Sequence, residues 1–205
     1  CVFWPVAVRL VVHRTVILAV DGHRTDDFTG VYRAAVAFWN RQPVYTAAYH
    51  HVDPHYLYPP SGSLLIAPFA VFEHELSRWV FIGANALAVL LAVYLVVRMF
   101  GHTAASAALP IAVTVAFVAE SVVNTLVFTT INGVILLGQV AFLTLLLARR
   151  DLWAGAAIGL TFAIKPILAP LLLLPVLRRQ LKVFITAAGV PIALTALAWP
   201  WAADP

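Results

Sequence analysis

WVFIGANALAVLLAVYLVVRMF, residues Trp79–Phe100, is the stretch that decides the fold. At about 1.5 Å of rise per residue, a helix of this length crosses the roughly 30 Å hydrocarbon core of a bilayer. Its one charge, Arg98, falls in the last turn, where a helix end meets the headgroups. Working outward, further apolar runs occupy 1–20 on one side and 104–119, 132–148, 152–165, 166–177 and 182–200 on the other. None shows the alternating pattern, about ten residues long, of a barrel strand. The expected class is therefore all-α: a polytopic membrane helix bundle. Composition agrees, with 62% hydrophobic and 11% charged residues and a mean hydropathy of +0.93. Soluble domains average roughly 25% charged residues. The net charge of +4 comes mostly from basic residues at span ends, so no nucleic-acid partner is implied. A single cysteine, Cys1, excludes an intrachain disulfide framework.

The run Ser61–Phe72, launched by Tyr58-Pro59-Pro60, is apolar but falls short of the roughly 17 residues a span requires. Glu73, His74 and Glu75 then separate it from the long run. Basic residues favour the cytoplasmic ends of spans. If 61–73 stays on the outer side, Arg98 and His102, Arg149 and Arg150, and Arg178, Arg179 and Lys182 all become cytoplasmic. That reading gives about seven spans, with the N-terminus inside and the C-terminal end outside. The first run carries Arg9, His13 and Arg14, which either snorkel to the cytoplasmic interface or, for Arg14, hold an anionic lipid phosphate. Gly155 and Gly159 make a small-xxx-small face suited to close helix packing.

The one long polar interval is Asp21–Pro60. It holds four of the nine carboxylates and four of the seven histidines. Within it, Phe28, Val31, Tyr32, Ala35, Phe38 and Trp39 recur at helical spacing, which predicts an amphipathic helix over 27–42 lying in the outer interface. Thr25 or Asp26 can cap its start and Pro43 can stop it.

Asp26 and Asp27 are the leading pair for chemistry. Asp27 would sit in the first turn, where the helix dipole favours its anion, and Asp26 beside it opposes ionisation, so one of the two is poised as a base. Ordinary helix capping is the competing role. His50, His51, Asp53 and His55 form a dense cluster that offers metal ligands, substrate-hydroxyl contacts or a shaped loop; it lacks the helical spacing of a zinc hydrolase. Lys165, between apolar runs and followed by proline, suits either a phosphate or a snorkelling role. Glu120, Asn124, Asn132 and Gln139 line a cavity or bond between helices.

Several stretches together carry a family resemblance: Thr25-Asp26-Asp27-Phe28-Thr29-Gly30-Val31-Tyr32, Val52-Asp53-Pro54-His55-Tyr56-Leu57-Tyr58-Pro59-Pro60, Asn124-Thr125-Leu126-Val127-Phe128, Ile131-Asn132-Gly133 and Lys165-Pro166. On these the chain resembles the actinobacterial polyprenyl-phosphate-sugar glycosyltransferases of the GT-C fold, and most of all their mycobacterial arabinofuranosyl-transferring members. The resemblance implies one transmembrane module over 1–205, the N-terminal part of a longer protein, with an outer catalytic loop over 21–60. It implies an inverting enzyme of the plasma membrane, working on its outer, periplasmic face. Arabinofuranose would pass from decaprenyl-phosphoryl-arabinose to an arabinan or other glycan acceptor of the cell wall. Asp27 matches the family's catalytic carboxylate, with Asp26 beside it. Lys165 and Arg14 become candidates for the donor phosphate, and Asp53, His55, Tyr58 and Asn132 for substrate contacts. A monophosphate donor needs no bridging metal, so neither metal nor other cofactor is expected. The four residues from Asp27 to Val31 exceed the spacing of the related mannosyltransferases, which favours the arabinosyl reading over the mannosyl one. A lipid-linked-sugar transporter, or a non-catalytic scaffold, accounts for the spans but not for the loaded loop.

The charge pattern yields a topological test. In right-side-out vesicles of a Cys1→Ser background, a membrane-impermeant thiol reagent should label His50→Cys and leave Arg150→Cys untouched. The reverse pattern overturns the orientation.

Overall fold

A computed structural model describes residues 3–17, 20, 27–42, 44–45 and 58–202, and among these it is helical with no strand. The helices are α1 (Phe3–Val12), α2 (Phe28–Trp39), α3 (Pro60–Ile66), α4 (His74–Met99), α5 (Ala108–Val118), α6 (Glu120–Val127), α7 (Asn132–Leu147), α8 (Asp151–Ile164), α9 (Leu173–Leu177) and α10 (Leu181–Ala202). The chain divides into two compact units, Cys1–Phe28 with Arg78–Val140, and Thr29–Ser77 with Ala141–Pro205.

Length and composition qualify α4 and α10 as membrane-crossing helices. The pair α5 and α6 passes together but bends by 64° at Ala119, whose backbone is extended. Shorter apolar helices run over Pro60–Val71, Asn132–Leu147, Asp151–Ile164 and Pro166–Leu177. Large apolar side chains such as Leu87, Val115, Ile192 and Leu197 are exposed along these helices, as hydrocarbon allows and water does not. The chain is thus a membrane helix bundle; the count of seven spans is not fixed by these lengths.

Three elements differ in detail from the sequence expectation. Within the run 1–20 the α-helix Phe3–Val12 gives way to a π turn over His13–Ile17, around Arg14. The run 166–177 is a 3-10 segment, Pro166–Leu172, followed by the single turn of α9, because Pro170 and Pro175 interrupt the α ladder. Helix α6 was not expected at all. The apolar run stops at residue 119 and leaves Glu120 and Asn124 as polar positions that line a cavity or bond between helices, yet Val122, Thr125 and Leu126 bury one face at helical spacing.

In the first unit α1 packs on α5, and the core gathers Ala7, Ile82, Val89, Val113, Phe117 and Leu126. In the second, α8 and α10 pack through Phe142, Ala154, Ile158, Phe162, Val183 and Ala187. The glycine pair acts as expected. A Cβ on Gly155 would lie 2.6 Å from Thr186 Cβ, and one on Gly159 2.8 Å from Val190 Cβ, so only glycine lets α10 approach this closely.

Helix α2 is amphipathic as its spacing predicts. Phe28, Val31, Ala34, Ala35 and Phe38 are buried, but Trp39, which its spacing placed on the same face, is exposed. Within the second unit, Tyr32 donates to the Phe72 carbonyl at 2.8 Å and stands edge-on to His74, whose Nε2 lies 3.3 Å from Thr29 Oγ1. At the other end Phe38 stacks on Trp201, with the Arg41 guanidinium 5.7 Å from the same ring.

Threonines inside helices satisfy their own hydroxyls: Thr114, Thr125, Thr161 and Thr186 each donate to the carbonyl four residues back, at 2.8–2.9 Å. In a dry environment this local bond removes an expensive unpaired donor. Helix ends are closed differently. Arg41, Arg149 and Arg179 take left-handed backbone, with φ of 56°, 57° and 55°, just past α2, α7 and α9. The residue after each donates its N–H to the carbonyl five positions back, the Schellman arrangement. Arginine is an uncommon residue for that backbone, but its cation favours the negative end of the helix dipole and reaches the headgroups.

Candidate active site

The site in the first unit is built from a buried amide. Asn85 is 1% exposed on α4. Its Nδ2 donates to the Phe81 carbonyl at 2.9 Å, and its Oδ1 accepts from the N–H groups of Gly133 and Val134 at 3.0 and 3.3 Å. The first N–H groups of a helix have no partner within it, so Asn85 meets two donors that α7 cannot satisfy itself. Gly133 is required there, since a Cβ would fall 2.6 Å from the Asn85 carbonyl oxygen. This contact pins the start of α7, and with it the turn Phe128–Ile131 that leads in from α6.

Asp27 hangs on that turn. Its backbone N–H donates to the Phe128 carbonyl at 3.1 Å, and the next ring, Phe28, is fully buried with its centroid 5.0 Å from that of Phe81. Asp27 itself is exposed. An anchored backbone beneath an accessible carboxylate is what a general base needs. One turn before Phe81 on α4 is Arg78, 0% exposed, with its guanidinium carbon 5.9 Å from the Trp79 ring. Asn132, exposed, opens α7. Arg14 is half-buried in the π turn packed on α6; among the described residues its Nε and the Thr15 hydroxyl are buried with no hydrogen-bond partner. Farther along α4 an apolar groove of about 330 Å³ opens against α5 and α7, lined by Ala92, Val96, Ala112, Val115, Leu136 and Val140.

The second unit brings Lys165 and Tyr58 together. Lys165 follows the last turn of α8 with extended backbone, and its Nζ lies 5.9 Å from the Tyr58 ring centroid. Ser61 Oγ donates to the Ala163 carbonyl at 2.7 Å, and Gly62 packs so closely that a Cβ would sit 3.3 Å from the same carbonyl oxygen. The Tyr58 carbonyl accepts from the Tyr45 hydroxyl at 2.8 Å. The Tyr-Pro-Pro segment and the Lys-Pro segment, far apart in sequence, are therefore one structural corner.

Asp26, Asp53 and His55 lie outside the described residues, as do His50 and His51. Among the described residues no three His, Cys, Asp or Glu side chains gather as a metal site would require. Sequence reasoning missed Asn85 and Arg78. Both stood at the margin of a signal read for its hydrophobicity: Asn85 is the one amide within the long apolar run, and Arg78 the charge immediately before it.

A polar site at the wall of an all-helical membrane bundle defines a membrane-embedded protein with accessible acidic and basic groups. Residues 56–205 match the sequence model of Glycosyltransferase family 87, and the chain belongs to that family. It is 51% identical over 207 residues to an α-(1→3)-arabinofuranosyltransferase of Mycolicibacterium smegmatis (100% of this chain, 48% of that protein). It is 48% identical over 205 residues to a protein so named from Mycobacterium tuberculosis (98% and 47%), and 43% over 199 residues to one from Corynebacterium glutamicum (97% and 48%). The chain spans about half the length of these relatives. No solved structure matches it.

The Asn85 junction can be tested by stability. Asn85→Ala leaves two backbone donors without their acceptor, at about 1–3 kcal/mol for each group left buried. Thermal unfolding in detergent should show a clear drop, whereas Asn124→Ala, at an exposed position, should stay within about 0.5 kcal/mol of the parent. Equal losses in the two variants contradict the role given to Asn85.

Proposed function

We propose that this chain is the part of a longer membrane enzyme that transfers arabinofuranose from decaprenyl-phosphoryl-arabinose to an arabinan acceptor, with inversion, on the outer face of the plasma membrane. The observation that carries the reading is the identity of 43–51% to the arabinofuranosyltransferases over almost the whole chain. Family membership favours a transferase over a lipid-linked-sugar transporter. The loop 21–60 would then be the outer catalytic loop of a single module.

In this reading Asp27 is the general base. Its carboxylate takes the proton from an acceptor hydroxyl as that oxygen attacks the anomeric carbon. The bond from that carbon to the phosphate oxygen breaks, and the electron pair leaves on the polyprenyl phosphate. One displacement inverts the centre. Support for Asp27 is its exposed carboxylate on a backbone anchored to Phe128. Asp26 is the neighbour that tunes it.

The leaving phosphate gains charge as the bond breaks, and fixed cations aimed at it lower the barrier. Lys165 and Arg14 are proposed for that task. Lys165 is supported by its place at a helix end beside Tyr58, and Arg14 by an Nε with no partner among the described residues, in a π turn, a distortion common at functional sites. Asp53, His55, Tyr58 and Asn132 are proposed contacts to sugar or acceptor hydroxyls. The apolar groove beside Ala92 and Val96 offers surface of the kind a prenyl chain covers.

The test is transfer from radiolabelled decaprenyl-phosphoryl-arabinose to a short arabinan by the full-length protein. Asp27→Asn keeps size and capping but accepts no proton, so transfer should fall by about 10²–10⁴-fold, with expression and donor binding near normal. Asp26→Asn should do much less. Normal turnover in the Asp27 variant moves the base elsewhere.

A further inference from the structure

The turn between α6 and α7 carries a residue that folding alone does not favour. Thr129 closes α6 in left-handed backbone, φ 52°, and Thr130 N–H donates to the Thr125 carbonyl at 2.9 Å, the same Schellman closure seen at the arginines. Glycine or asparagine suits that position, and Gly101 fills it after α4 with φ 81°. A β-branched side chain is the least suited of all. Among the described residues the cost brings no return, because Thr129 is 2% exposed and its hydroxyl is buried with no hydrogen-bond partner there. The Thr130 hydroxyl beside it is also buried, with no partner among the described residues. Four other threonines return their hydroxyls to a carbonyl of their own helix, and these two do not. Local strain and buried polar groups kept against stability concentrate where a ligand is bound.

The neighbours indicate which ligand. The carbonyl of Phe128, directly before the two threonines, holds the Asp27 N–H. Phe28 leads from there to Phe81, and one turn back on the same face of α4 is the fully buried Arg78. A guanidinium keeps its charge at every physiological pH, and in a dry setting its bond to an anion is far stronger than in water. Hydroxyl donors together with a permanent cation, on the wall that anchors the base, match an anionic phosphate ester, the diester of the donor and the monoester it leaves as, better than a neutral sugar.

We propose that the Thr129–Thr130 turn and Arg78 form a phosphate subsite beside Asp27 that holds the head of a polyprenyl-phosphate donor. The inference rests on the donor class proposed above, and it adds residues that neither sequence reading nor the relatives' names assign.

The experiment measures binding of decaprenyl monophosphate and of decaprenol to the full-length protein in nanodiscs, alongside thermal unfolding. Wild type should prefer the monophosphate. Thr129→Val and Thr130→Val keep side-chain shape and remove only hydroxyls that have no partner among the described residues. They should unfold no earlier than wild type yet bind the monophosphate about ten- to a hundredfold more weakly, the worth of one charge-assisted hydrogen bond, with decaprenol binding unchanged. Arg78→Lys should retain part of the preference and Arg78→Gln lose it. If the valine variants bind the monophosphate as wild type does, the subsite is overturned while the donor reading stands. If they bind as wild type but unfold earlier, the hydroxyls are structural and the subsite is equally overturned. A wild type that does not distinguish monophosphate from alcohol contradicts the donor reading itself.

Discussion

One amide, Asn85, fixes the geometry on which the candidate site depends. In hydrocarbon an unpaired backbone donor costs several kcal/mol, so a helix that begins beside another needs an acceptor for its first N–H groups. Asn85 Oδ1 supplies one acceptor to two of them, and Gly133 lets the backbones meet. Because the start of α7 cannot slide, the turn before it is also set, and Phe128 in that turn holds Asp27. The position of an exposed carboxylate thus traces back, through three short contacts, to a residue buried in a membrane-crossing helix. A loop held only by its own hydrogen bonds would not give a base this fixed origin.

Much of the fold was legible because hydrocarbon imposes simple rules. The run Trp79–Phe100 reads as a crossing helix from length and polarity alone, and α4 covers all of it but Phe100 and adds one further turn at its start. The amphipathic spacing of Phe28, Val31, Ala35 and Phe38 was equally plain, since one buried stripe forces one period. Close packing at Gly155 and Gly159 followed from the absence of side chains. What could not be read depends on partners remote in sequence. The break at Ala119 turns on one residue's backbone, and alanine carries no mark of it. Asn85 looks like a blemish in an apolar run until Gly133, 48 residues away, is placed against it. Lys165 and Tyr58 were each visible as candidates, but not as companions, because it is Ser61 and Gly62 that bind the two segments through α8.

The arginine closures show how one sequence element serves two requirements. Left-handed backbone at Arg41, Arg149 and Arg179 ends each helix sharply, and the cation completes the helix dipole. Arg149 and Arg179 also belong to the basic clusters from which the expected orientation is read. Thr129 uses the same backbone without either advantage. The contrast separates helix ends shaped by the membrane from the one shaped by a ligand.

The central claim is that the carboxylate anchored through Phe128 meets the attacking hydroxyl. A cryo-EM structure of the full-length protein with a non-transferable polyprenyl-phosphoryl-arabinose analogue and a short arabinan acceptor tests it directly. The account predicts an acceptor oxygen about 2.6–3.2 Å from the Asp27 carboxylate and about 3–3.5 Å from the anomeric carbon. An acceptor hydroxyl seated against another carboxylate, with Asp27 out of reach, would contradict it.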